Sequence, residues 1–120
     1  MKLIGSLSSP YVRKARIVLA PSQWEEAFGR IAVEPQFSGI PVVASDRGGL
    51  PEAVGPGGVL IDHAAPADEW AAAVRKLWHD EAYYQATSRA ARDFSARPDM
   101  DRGAQVEKLL SIFANAPARR

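Results

Sequence analysis

At 120 residues, 47% of them hydrophobic and 24% charged, the chain has the composition of an ordinary soluble globule and the length of one domain. Its net charge of +1, with acids and bases mixed through both halves, excludes a general attraction to nucleic acid or anionic membrane, and the lack of cysteine excludes disulfides and thiolate metal sites. No apolar run approaches the roughly 18 residues of a membrane span, and Met1–Gly5 is too short for a signal peptide, so the cytoplasm is the expected compartment.

Lys2–Ile4 reads as a short strand and Ser6–Pro10 as a Ser-rich turn. Arg13, Lys14 and Arg16 follow; they are candidates to face a phosphate, although a solvated helix face beside the strand is the simpler reading. Ile17–Ala20 is the next strand, ended by Pro21-Ser22. A loop from Ser22 to Phe28 then carries Trp24, which is expected to pack rather than to stack on a base, since aromatic rings are chiefly core material.

The organisation of the chain centres on Trp24 to Pro51, read as loop, helix, buried strand and Gly-Gly turn. The helix begins near Gly29; Gly39 is a left-handed stop, and Pro41 cannot continue it. Pro35 stands inside that helix directly after Glu34, and a kink is expected there because proline removes a helical hydrogen bond and clashes with the preceding turn. Arg30 in the first turn faces either phosphate or solvent, the two being equally good readings. Pro41–Ser45 is an apolar, β-branched run of the kind covered on both faces of a sheet. Helix-to-strand units of this sort build open α/β sheets, whose ligands sit outside the carboxyl ends of the strands.

Glu26 and Glu34 frame the start of the helix. Eight helical residues rise about 12 Å, too far for the roughly 5 Å carboxylate pair of a retaining glycosidase. The spacing suits two acceptors gripping the ends of one extended molecule, with the helix amino end offering N–H groups to an anion between them. Carboxylates accept separate bonds from vicinal hydroxyls. Hydroxyls at both ends and phosphate in the middle describe a nucleotide-diphosphate sugar.

In the Ser45–Pro51 turn, Gly48 and Gly49 mark a place where backbone bends tightly or approaches a ligand. Pro51 suits the first position of a short helix, and Glu52 complements its positive end. Gly55–Gly58 is a second turn and Val59–Ile61 a further strand, followed by Asp62 and His63. His63 reads as a lone, solvated loop histidine, and His79 makes no metal-binding spacing with it. Pro66 starts a helix whose stripe is Trp70, Ala73, Val74 and Leu77. Asp80 caps the next, which runs to about Phe94 with Tyr83, Ala86 and Ala90 inward. Ser95–Pro98 breaks it, and Asp101 opens a last helix bearing Val106, Leu109, Leu110 and Phe113. These stripes read as core. Ala118–Arg120 is expected to fray.

PSQWEEAFGRIAVE, followed by SGIPVVASDRGGLPEAVG and GGVLID, resembles the nucleotide-binding half of GT-B-fold retaining glycosyltransferases, the large glycosyltransferase family 4 and its relatives. The likeness is close over residues 19–62 and looser over the helical tail. It implies an α/β fold: a partial Rossmann-like parallel sheet with flanking helices over residues 1–65, then a helical tail over 66–116, together one incomplete domain. It implies Glu26 as the catalytic, sugar-side residue, Glu34 as the ribose ligand, and Ala27, Phe28 and Gly29 as backbone approaching sugar and diphosphate. Arg30, Gly48 and Gly49 complete the expected donor site. The donor would be a nucleotide-diphosphate sugar, with no metal and no other cofactor, and transfer to an acceptor hydroxyl would proceed with retention.

The same resemblance implies missing parts. The family's acceptor domain has no counterpart here, and its arginine–lysine clamp on the departing diphosphate lies upstream of the matching region; Arg13, Lys14 and Arg16 do not align with it. Without such charge stabilisation the chain alone is expected to bind nucleotide sugar weakly at most. Four or so strands would leave a sheet edge exposed, so the expected partners are an acceptor domain, a partner chain or a second copy. Nucleic acid and an integral membrane segment are not expected. The alternative is a non-catalytic, partner-completed module of the same ancestry; a nucleotide-sugar epimerase ranks last, since only His63 and His79 are on offer as further acid–base groups.

Overall fold

The computed structural model describes residues 15–117. Three short strands, β1 (Val18–Ala20), β2 (Val42–Ser45) and β3 (Gly58–Ile61), form a parallel sheet in the order β1-β2-β3. Val18 pairs with Val42, and Val42 with Gly58. Helices α1 (Arg30–Val33) and α2 (Leu50–Val54) fill the crossovers, and α3 (Ala67–His79), α4 (Glu81–Ser95) and α5 (Arg102–Ala114) follow. This is the expected α/β architecture with a helical tail. The strand expected at Lys2–Ile4, the Ser6–Pro10 turn, Arg13, Lys14 and the Ala118–Arg120 end lie outside the described residues.

All four residues of β2 are buried, as a strand with neighbours on both sides and helices on both faces requires. Side chains alternate along a strand, so Val42 and Ala44 share one face with Val18 and Ala20. That face packs on Ala32 and Val33 of α1 and on Leu50, Ala53 and Val54 of α2. Val43 points to the opposite face; α3 lies against β2 and β3 and buries Leu77. Trp70, Ala73 and Val74 are partly buried beside it, as their stripe predicts.

At Pro35 the helix changes winding. The α-helix ends at Val33, and Glu34–Ser38 continues as a 3₁₀ turn that stops at Gly39, φ 68°. Proline has no N–H for an i→i−4 bond, and the tighter turn needs none from it. The turn buries Gln36, whose Nε2 donates to Ala32 O at 2.7 Å and to Ala53 O at 2.9 Å. One amide therefore links the first helical segment to α2.

Asp80 and Asp101 cap α4 and α5 as expected, accepting from the amides of Tyr83 at 2.9 Å and Ala104 at 2.8 Å. The inward face of α4 differs from the expected one. Ala86 is exposed and Tyr83 and Ala90 only half-buried; the buried residues are Thr87, Ser88, Ala91 and Ser95. A small hydroxyl satisfies the loop it meets: Ser88 Oγ donates to Gly39 O at 2.6 Å, while Ser95 Oγ donates to Arg92 O of its own helix at 2.8 Å and lies 3.4 Å from Gln36 O. Hydrophobic periodicity selected the wrong side because the partner surface here is polar backbone.

The α5 stripe is also corrected. Val106, Leu109, Leu110 and Phe113 are 52–69% exposed, and no residue of α5 is buried. Periodicity shows which side chains share a face, not whether a surface meets that face. Arg16 takes neither of its expected roles. It precedes β1 at the amino end of the sheet, donates to Glu81 Oε2 at 2.9 Å, and stacks on Tyr84 at 4.2 Å and Trp78 at 5.5 Å. Hydrogen bonds from Gln85 and then from Arg16 hold the Glu81 carboxyl below its ordinary range, and Glu81 in turn raises Arg16.

Candidate functional site

The carboxyl ends of the three strands converge through their loops. Asp46, just past β2, donates its amide to Ile61 O of β3 at 2.7 Å. Gln23 in the loop after β1 donates through Nε2 to His63 O at 3.3 Å, joining the loops that follow β1 and β3. Gly49 in the turn after β2 donates its amide to Glu26 O at 2.6 Å. Such an edge is where open α/β sheets bind ligands.

Glu26 sits half-buried on this edge, and its Oε1 accepts from Ser22 Oγ at 2.5 Å. An ionised carboxylate has about four acceptor positions, so one engaged oxygen leaves capacity for incoming hydroxyls. The two turn glycines serve the chain itself: a Cβ on Gly48 (φ 57°) would stand 2.8 Å from both Glu26 N and Glu26 O, and one on Gly49 2.6 Å from Ala27 O. Only a bare backbone lets the turn press against Glu26–Ala27. Gly29 likewise starts α1 in the left-handed region, φ 72°, where a Cβ would stand 2.9 Å from Leu50 Cδ2.

Ala27 and Phe28 are exposed and, with Gly49, Glu52, Ala53, Arg97 and Asp99, line a shallow depression of about 70 Å³. Arg97 is occupied there, bonding Asp99 Oδ2 at 3.0 Å and stacking on Phe94. Trp24 does not pack as expected: its side chain is 82% exposed. Glu26, Ala27, Gly48 and Gly49 thus form one ridge, and Gly29 leads from it into α1. Glu34 and Arg30 lie further along as an exposed i,i+4 ion pair, with Arg30 Nη2 2.8 Å from Glu34 Oε1.

His63 has a carboxylate beside it after all, with Asp62 Oδ1 3.7 Å from Nδ1. That oxygen also accepts the Ala64 amide at 2.7 Å, which closes a local turn. Among the described residues no three His, Cys, Asp or Glu side chains are grouped to hold a metal. Nor is any helix among them long and apolar enough to cross a membrane. Reading the sequence passes over Ser22 and Gln23 as supports of the site; the available signal is a hydroxyl four residues before Glu26 and an amide beside it.

The arrangement offers a positioned carboxylate, a backbone ridge, a helix amino end and a second carboxylate one to two turns on. It can accept bonds from hydroxyls at two separated points. The family model described as "Glycosyl transferases group 1" matches residues 2–94. Similar relatives include a D-inositol 3-phosphate glycosyltransferase of Corynebacterium kroppenstedtii, 45% identical over 93 residues, which are 76% of this chain and 20% of that protein. The protein of the same name from Corynebacterium diphtheriae is 40% identical over 107 residues, 88% of this chain and 24% of its own. That from Nocardiopsis dassonvillei is 35% identical over 112 residues, 92% of this chain and 25% of its own. The chain thus spans about a fifth to a quarter of the length of these curated relatives.

Proposed function

The chain belongs to the group 1 glycosyl transferases, and from that premise we propose that it is the donor-binding part of a GT-B enzyme. In its intact context, in the cytoplasm, it moves a sugar from a nucleotide diphosphate to an acceptor hydroxyl, with retention and without a metal. Residues 1–120 act as one unit, the α/β part to residue 65 carrying the donor and α3 and α4 of the helical tail buttressing it. Relatives named for D-inositol 3-phosphate make a phosphorylated cyclic polyol the first acceptor class to try.

In this reading Glu26 meets the transferred sugar, while Ala27, Phe28 and Gly29 lead from sugar to diphosphate along the backbone. Glu34 accepts from the ribose hydroxyls after yielding its bond to Arg30, which then turns toward phosphate. Gly48 and Gly49 act by holding the Glu26 loop. The observation that carries the reading is the fixed Glu26, its carboxylate accepting from Ser22 Oγ at 2.5 Å and its backbone carbonyl from the Gly49 amide at 2.6 Å, on the carboxyl edge of a parallel sheet.

Isothermal titration of the chain with UDP, GDP and ADP tests it. One nucleotide is expected to bind in the millimolar range. Glu34→Ala should weaken it about tenfold or more, the worth of a charged hydrogen bond. Failure of all three nucleotides to bind at millimolar concentration would leave only ancestry. A second reading, a module completed by an acceptor domain or partner chain, is favoured by the bare apolar face of α5. Light scattering discriminates, since a strict monomer at all concentrations speaks against pairing with a second copy.

A further inference from the structure

The loop that carries Glu26 also carries Trp24, 82% exposed. Indole is among the largest apolar groups a protein can bury, and leaving it in water forgoes that gain. The exposure does not come from a loose segment. Gln23, the residue before it, bonds His63 O at 3.3 Å, and Ser22 bonds Glu26 at 2.5 Å. Glu26 in turn is fixed to Gly49 at 2.6 Å. The ring is therefore held out from a backbone anchored on both sides, at the carboxyl edge of the sheet. No cation among the described residues covers it: the stacked pairs are Arg16 with Trp78 and Tyr84, Lys76 with Tyr83, and Arg97 with Phe94.

We propose that Trp24 is a stacking platform for the sugar carried by the donor, and so a specificity-determining residue of the site; the inference rests on the donor-binding reading above. A pyranose has a rim of hydroxyls and two faces of C–H groups. A carboxylate reads the rim, and an indole face covers the C–H surface, which a carboxylate cannot do. Trp24 stands two residues from Glu26, the sugar-side carboxylate, and ten from Glu34, the ribose-side one, with α1 between. That placement assigns the ring to the sugar end and not to the base. No bond is made or broken by Trp24; it binds and orients.

The test is a titration of the 120-residue chain with UDP-glucose and GDP-mannose beside UDP and GDP, followed by calorimetry and by the Trp24 indole N–H resonance. Trp24→Ala is expected to weaken whichever nucleotide sugar binds by about tenfold, the scale of one ring stacked on an aromatic side chain, while leaving the matching nucleotide unchanged. Trp24→Phe should recover most of the loss. Equal weakening of nucleotide and nucleotide sugar, or no change in either, overturns the proposal while the donor reading stands. Failure of the unaltered chain to bind any of the four ligands, or ADP in the titration above, overturns the donor reading itself and the stacking role with it. A ring this exposed supports little of the fold, and urea unfolding of both variants confirms that comparison is fair.

Discussion

Gly49 donates its amide to the carbonyl oxygen of Glu26 at 2.6 Å, and that bond ties the turn after β2 to the loop after β1. Main chain meets main chain there, so the position of the Glu26 carboxylate is set by backbone and trimmed by Ser22. The close approach needs glycine at both turn positions, for a Cβ on either would enter the Glu26–Ala27 backbone. The Gly-Gly pair is thus a positioning device for a carboxylate on the neighbouring strand's loop.

Gly48→Ala tests this device. The residue sits at φ 57°, and its added Cβ would stand 2.8 Å from Glu26 N and O. The left-handed conformation alone costs about 1–2 kcal/mol for a non-glycine residue. The urea midpoint should fall accordingly, and nucleotide-sugar affinity should fall with it as the Glu26 loop is displaced. An unchanged midpoint would show that the turn moves freely.

Gln36→Leu removes the amide shared by Ala32 O and Ala53 O. The volume is nearly kept, but the buried carbonyl of Ala53 loses its donor. A loss of about 1–3 kcal/mol is expected from equilibrium unfolding, the cost of one unsatisfied buried group. A neutral or stabilising outcome would mean that water reaches the gap between α1 and α2.

The Glu81 carboxyl, held down by Gln85 first and Arg16 second, predicts an acid-side effect. The folded carboxyl of Glu81 titrates below its unfolded value, so its contribution is complete above the ordinary carboxylate range and is lost as pH falls through the folded value. Thermal midpoints of the unaltered chain and Glu81→Gln, measured from pH 7 to pH 2.5, should differ at neutral pH and converge in acid. The gap should shrink in high salt, since the Arg16–Glu81 pair is exposed. A gap that widens in acid would reverse the assigned sign.

Removal of residues 102–120 should leave the unfolding free energy from urea titration within about 0.5 kcal/mol of the full chain's, the range of surface changes. No side chain of α5 is buried. The shortened chain should also scatter less light at high concentration, since five large exposed apolar side chains go with the helix. A marked drop in stability would show that α5 folds back onto the body.

Strands and caps were legible in the residues because their causes are local. Val42–Ser45 is apolar and β-branched, Gly39 admits the left-handed stop, and Asp80 and Asp101 offer carboxylates to open amides. What depends on a distant surface was not legible. Ala86 and Ser88 have similar claims to the inside of α4 until Gly39 O is known to lie opposite Ser88. Trp24 and Phe113 carry the same apolar cue as Leu77, yet only Leu77 has a neighbour to bury it. At the candidate site, the spacing of Glu26 and Glu34 was visible, whereas the Arg30 bond to Glu34 and the Ser22 bond to Glu26 required the fold.

The hydroxyl-lined inner face of α4 has a thermal consequence. Apolar contact raises the heat capacity of unfolding and polar contact lowers it, by about 0.45 and 0.26 cal/mol/K per Å² respectively. Ser88, and more weakly Ser95, therefore attach α4 to the Gln36–Gly39 turn through enthalpy, whereas the Val42–Leu50 cluster coheres through water's entropy. Chilling strengthens the first kind of attachment and weakens the second. The two kinds of contact should answer temperature in opposite directions, with the Ser88 attachment of α4 the first to loosen on warming and the sheet layer the first to soften in the cold.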